Sequence, residues 1–283
     1  PNMNLYILNS WVPQRLSIFL DACVQERMYT FAGPRFDING AYQHGGPVSI
    51  GDQLSLSSTR SRGIHYSLDG TDISTASPVY TGPLTLSHSV KVKARILQGE
   101  TWSALTEASF AAGPVAESLR VTEFMYHPPG ADDPNAEFIE LANLGNETIN
   151  LNLVTFTDGV DFVFGKLEVT PNERVLLVKD VNTFTARYGD DLPIVGQYEG
   201  SLSNAGEWIE LQDASGHVIQ GFRYQDNWYE LTDGAGFSLT LRADALDSDL
   251  HSSLQNWRLS AYQGGSPGQD DANDIAPPGS IVI

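Results

Sequence analysis

Two glutamates, Glu137 and Glu140, stand three apart in the apolar run EFIELANLGNETINL (137–151). Paired carboxylates carry out glycoside hydrolysis when they flank one bond, about 5–10 Å apart across a shared cleft. The run reads as a strand, and strand side chains alternate, so positions three apart face opposite sides of the sheet. Glu137 then shares a face with Ile139 and Leu141, and Glu140 with Phe138 and Ala142. That geometry excludes a catalytic pair made of these two.

A metal site is the second chemistry available to them. Glu123 lies in the preceding strand-like run, LRVTEFMY (119–126), and the loop ADDPNA (131–136) adds Asp132, Asp133 and Asn135. Calcium takes six to eight oxygen ligands, and acidic loops supply them. The candidate calcium set is Glu123, Asp132, Asp133, Asn135 and Glu137, although the loop lacks EF-hand spacing. The competing reading is a solvated loop beside strand glutamates that accept hydrogen bonds from backbone or arginine. No other cofactor is expected.

Aromatic residues offer a third possibility. Tyr224, Trp228 and Tyr229 follow a hairpin-like stretch and form a candidate platform for stacking on sugars, against the competing reading of burial in a core or domain interface. Trp102, Trp208 and Trp257 stand in strand-like apolar contexts that predict core positions. The six histidines are scattered without ligand spacing and read as surface or turn residues. There is no Gly-x-Ser-x-Gly elbow and no Walker-type phosphate loop.

The elements that hold these residues are mostly strands. At 283 residues the chain can build two cores, and its 41% hydrophobic content is that of a globular protein. Thirty-five acidic against sixteen basic residues give a net charge of -19, which repels phosphate backbones and anionic lipid. Nucleic-acid binding is disfavoured, and no apolar run is long enough to span a membrane. The single cysteine, Cys23, rules out a disulfide within the chain and reads as a packed core thiol.

Residues 10–29 have the spacing of one amphipathic helix, with Val12, Leu16, Phe19, Leu20, Cys23 and Val24 on one stripe. The glycine-rich stretch 33–46 reads as connector. From there short alternating runs predict a small β-sandwich: Ile64, Tyr66 and Leu68 share a face, as do Val90, Val92, Ala94 and Ile96. Asp69 and Asp72 read as turn residues rather than metal ligands. AAGPVAES (111–118) has linker composition, and a second all-β region follows. Within it, 181–190 predicts a short helix with Asn182 as cap and Gly189 as stop, and 207–224 predicts a hairpin. Both chain ends look like cuts through a longer protein.

Several of these runs are familiar in their order. LRVTEFMYHPPG, EFIELANLGNETINLNLVTFTDG, EVTPNERVLLVKD, GSLSNAGEWIELQDASGHVIQGFRYQDNW, DGAGFSLTLR and GGSPG together resemble the lamin-tail domain, an immunoglobulin-like sandwich. The series YSLDGTD, SPVYTGP and VKARI resembles the chitobiase C-terminal module, which is also immunoglobulin-like. The helix SWVPQRLSIFLDACVQERMY is similar to the closing helix of spore-coat-protein-H-like kinase domains, whose catalytic motifs are absent here.

The resemblance implies an all-β fold of two tandem immunoglobulin-like sandwiches behind an N-terminal α-helix. Its divisions are 1–33, 34–113, 114–272 and a tail 273–283 that starts a further domain. It also implies a non-catalytic part of a larger, exported bacterial protein, extracellular or at the cell surface. Such a part would act as a spacer or bind a protein or a cell-surface polysaccharide. A carbohydrate-binding module and a hydrolase with a cross-domain site are the alternatives. The oligomeric state is open.

Overall fold

The computed structural model describes residues 30–59, 63–130, 134–242 and 251–271. The expected helix at 10–29 with Cys23, the loop residues Asp132 and Asp133, and the tail 273–283 lie outside these residues. The chain divides into two compact units, Pro1–Phe110 and Ala111–Ile283.

In the first unit one sheet contains β1 (Arg35–Ile38), β2 (Ala41–Tyr42), β4 (Gln53–Ser57) and β6 (Leu84–Thr85), in the order β2-β1-β4-β6. The other contains β3 (Gly46–Val48), β5 (Ile64–Ser67), β7 (Val90–Gln98) and β9 (Thr106–Ala112), in the order β3-β9-β7-β5, with β8 (Thr101–Trp102) paired to β7. Burial alternates along β7, so Val90, Val92, Ala94 and Ile96 all face the core, as their spacing requires. Asp69 accepts hydrogen bonds from the backbone and hydroxyl of Thr71, which is turn chemistry.

The stretch 33–46 is not a plain connector. β1 and β2 form a hairpin whose Asn39 and Gly40 take φ of 50° and 83°. An Asn-Gly pair with both φ positive is the signature of a tight hairpin turn, and the glycine content masked it. Asn39 also fixes the strand beyond, donating to Asp52 and accepting from the Gln53 backbone. A Cβ at Gly40 meets no atom within 4 Å, so Gly40→Ala tests backbone strain alone. It is expected to cost the first unit about 1–2 kcal/mol, read from the urea midpoint.

The second unit opens on a turn of helix, α1 (Val115–Ser118), so the linker-like AAGPVAES is structured. Its larger sheet is built from β10 (Leu119–Met125), β11 (Phe138–Asn143), β16 (Arg174–Val178), β17 (Ile194–Gln197), β21 (Leu239–Leu241) and β22 (Trp257–Leu259), ordered β17-β16-β11-β10-β21-β22. The facing sheet has the order β18-β14-β13-β19-β20. Its strands are β13 (Thr155–Asp158), β14 (Val160–Val163), β18 (Glu199–Gly200), β19 (Trp208–Gln212) and β20 (Val218–Arg223). A small ladder joins β12 (Ile149–Asn150) to β15 (Glu168–Val169).

One apolar core fills the space between the two sheets. It takes Val121, Phe124, Ile139 and Leu141 from one sheet and Phe156, Ile209, Leu211 and Phe222 from the other, which makes the unit a sandwich. A second, smaller cluster lies on the outer face of the six-stranded sheet, where Met125, Phe138, Leu176 and Val178 are covered by α2 (Val181–Tyr188) through Phe184 and Tyr188. The cap of α2 is Asp180 rather than Asn182: its carboxylate accepts from the Thr183 backbone at 2.7 Å. Gly189 stops the helix with φ 91°, as expected.

Candidate functional site

Strand alternation places the glutamates as their spacing demands. Glu137, with Ile139 and Leu141, points into the inter-sheet core, and Glu140 lies with Phe138 on the outer face. All of Glu123, Glu137 and Glu140 are buried.

Glu123 and Glu140 are direct cross-strand partners of β10 and β11. A bulge between Val121 and Glu123 sets that register, and it turns Glu123 to the same outer face as Glu140. Opposed residues of this kind sit about 5 Å apart at Cα, so two carboxylates share one buried site. Glu140 accepts from Thr122 Oγ1 at 2.6 Å and from the Gly268 backbone at 2.9 Å, and its Oε1 lies 3.1 Å from Arg174 Nε. Glu123 accepts from Ser238 Oγ at 2.5 Å and from both the backbone and the hydroxyl of Ser266, each at 2.8 Å.

Burial is the main reason why Glu140 is pushed up to about 8; the neighbouring Glu123 charge adds to it, against the pull of Thr122, Arg174 and Gly268. Glu123 is raised too, again chiefly by burial and against its serine partners.

The described members of the expected calcium set, Glu123, Asn135 and Glu137, do not come together. Glu123 and Glu137 face opposite sides of the sheet, because Glu137 keeps the parity of Ile139. Glu137 accepts from Tyr198 Oη at 2.9 Å and from the Leu202 backbone at 2.8 Å, inside the sandwich. Asn135 is exposed on the surface before β11. Glu123 spends its oxygens on hydroxyl and amide donors, so its environment is that of a structural acceptor rather than a cation ligand. Among the described residues no group of three or more His, Cys, Asp or Glu side chains is placed to hold a metal ion.

The three aromatics of the expected sugar platform do not form an exposed surface. Tyr224 is fully buried, with its ring 5.0 Å from Phe124 and 4.9 Å from Tyr126, and its hydroxyl donates to Ser203 O. Trp228 and Tyr229 pack partly buried against the same core, and Tyr229 donates to Trp257 O. Trp257 is buried as expected and Trp102 is half-buried, whereas Trp208 is not a core residue.

Trp208 stands 36% exposed on the outer face of the five-stranded sheet. Its indole lies over Gly221, where a Cβ would come within 2.6 Å of the ring. Its Nε1 donates to Glu210, which also accepts from Thr157 and Gln212. The signal was present in the sequence: in WIELQ, Trp208 shares its parity with Glu210 and Gln212, a polar face. Two histidines also depart from expectation. His65 is buried and contacts Ser77 O at 3.0 Å, and His251 is buried against Gln220 at 2.6 Å.

The second unit is thus a sandwich whose outer face carries a buried carboxylate pair bonded to the GGSPG segment. Residues 113–226 match the model of the Lamin Tail Domain. Residues 43–106, in the first unit, match the model of the chitobiase/β-hexosaminidase C-terminal domain. The two matches stand in the order that the motifs implied. No curated protein matches the chain. The lamin-tail match ends before β21 and β22, yet those strands complete its larger sheet and bring Ser238 to Glu123. The kinase-like helix falls outside both matches and outside the described residues.

Proposed function

We propose that this chain is a non-catalytic accessory part of a larger, exported modular protein, serving as spacer or surface-binding module. The observation that carries this reading is the fate of the Glu123–Glu140 carboxylates. They converge as catalytic acids would, but they are buried and already occupied in tying the chain's own 260s segment to the sheet. Both family models describe accessory modules of immunoglobulin-like fold, and one fold of this kind hosts many functions. Among the described residues no helix is long and apolar enough to cross a membrane. Incubation with panels of glycosides, esters and peptides is expected to give no turnover. Turnover that disappears in Glu140→Gln would overturn the reading.

A carbohydrate-binding role is the second reading, and Trp208 is the observation that favours it. One indole face is fixed on Gly221 and a hydrogen-bonded polar array surrounds it, which suits stacking on a sugar ring. Retention on a polysaccharide panel, reduced at least tenfold by Trp208→Ala, would establish it. No retention, or retention indifferent to that substitution, would leave the spacer reading alone.

A further inference from the structure

The outer face of the six-stranded sheet is closed in part by a segment with no regular structure, residues 262–271, that includes Gly-Gly-Ser-Pro-Gly. What holds this strap is the buried carboxylate pair. The Ser266 amide and hydroxyl donate to Glu123, and the Gly268 amide donates to Glu140. At its start Gly264 O accepts from Tyr188 Oη of α2 at 2.9 Å. At its end Asp271 pairs with Arg258 at 3.1 Å, and Asp270 lies 3.3 Å from Arg174, the residue that also faces Glu140.

The seat is close-fitting. Gly265 has φ 77°, and a Cβ there would stand 2.3 Å from Glu123 Oε1 and 2.9 Å from Ser238 Oγ. Only a bare backbone can lie this near the carboxylate.

Two opposed carboxylates in a buried site cannot both carry charge without cost, because burial takes them out of bulk solvent. The charged groups that face them are Arg174 from β16, Asp270 and Asp271 from the strap, and Arg258 from β22, which Asp271 already pairs. Tyr188 faces Glu123 from α2. Lifting the strap would admit water to both carboxylates. We propose that the 262–271 strap is a proton-controlled latch, shut while the Glu123 and Glu140 pair holds a proton and loosened when that proton leaves.

The sign follows from linkage. The closed pair holds a proton that the hydrated pair gives up near the ordinary carboxylate value, so opening releases one proton. The latch is therefore tightest at and below about pH 4.5 and weakens as pH rises towards about 8, the value to which Glu140 is pushed. Above that both states are ionised and the dependence ends.

Amide hydrogen exchange on the full chain at pH 5, 6.5, 8 and 9 tests it, with intrinsic rates divided out. Protection of the Ser266 and Gly268 amides is expected to fall by up to about tenfold per pH unit between about 5 and 8, then level off. The Ile139 and Leu141 amides of β11 should keep theirs. Glu123→Gln removes one charge and should flatten the slope; should that variant not fold, Glu140→Gln reads the same quantity. Gly265→Ala should lower strap protection at every pH with β11 still protected. A flat wild-type profile would overturn the latch. So would parallel loss at β11, an unchanged slope in the Gln variants, or wild-type protection in Gly265→Ala.

Discussion

Trp257→Ala is expected to lower the unfolding free energy of the second unit by about 3–5 kcal/mol, the usual cost of truncating a buried aromatic. Trp257 is fully buried at the edge strand β22, where its ring meets Phe124 at 5.1 Å in an edge arrangement and Phe222 at 4.9 Å. It therefore joins the two sheets rather than filling one of them. Its Nε1 also donates to His251 O at 2.6 Å, and His251 in turn meets Gln220, which accepts from the Val121 backbone at 2.7 Å. Truncation leaves a cavity and strands that carbonyl. Urea unfolding followed by far-ultraviolet circular dichroism reads the shift, and Trp257→Phe should lose distinctly less. A change below about 1 kcal/mol for the alanine would show that the sandwich does not depend on this contact.

Glu137 gives the second large effect, and a pair of substitutions isolates it. Glu137→Ala removes the acceptor for two buried donors, Tyr198 Oη and the Leu202 amide, and opens a space in the core. Each orphaned donor costs about 1–3 kcal/mol, so a total of about 2–6 kcal/mol is expected. Glu137→Gln keeps one oxygen for those donors and should cost about 1–2 kcal/mol. Equal losses in the two variants would mean that the side chain's volume, and not its oxygen, is what the core uses.

Strand parity made much of this legible in the sequence. Period-two spacing gave the β7 core face and separated Glu137 from Glu140. The same period placed the 207–224 hairpin, which forms as β19 and β20 around a loop organised by Asp213. Long-range register was not legible. Glu123 meets Glu140 because a bulge at Thr122 shifts the ladder, and no local pattern announces a bulge. The strap was illegible for a related reason: two of its three donors to the carboxylates are backbone amides, which carry no side-chain signal. Tyr224 is buried and Trp208 partly exposed, the reverse of expectation, because the face a residue shares with its strand neighbours outranks its apolar character. The connector at 33–46 hid a hairpin behind its glycines.

The strand order has one more consequence. β10 sits at the middle of its sheet, and one of its two neighbours, β21, arrives late: Ser238 and Glu123 are 115 residues apart. A ribosome adding roughly 5–20 residues per second leaves that interval open for something like ten seconds. Throughout it β10 presents an unpaired edge to its surroundings, an invitation to a second nascent chain. A molecule of this topology has a vulnerable youth, and its yield in a cell would depend on what shields that edge during synthesis.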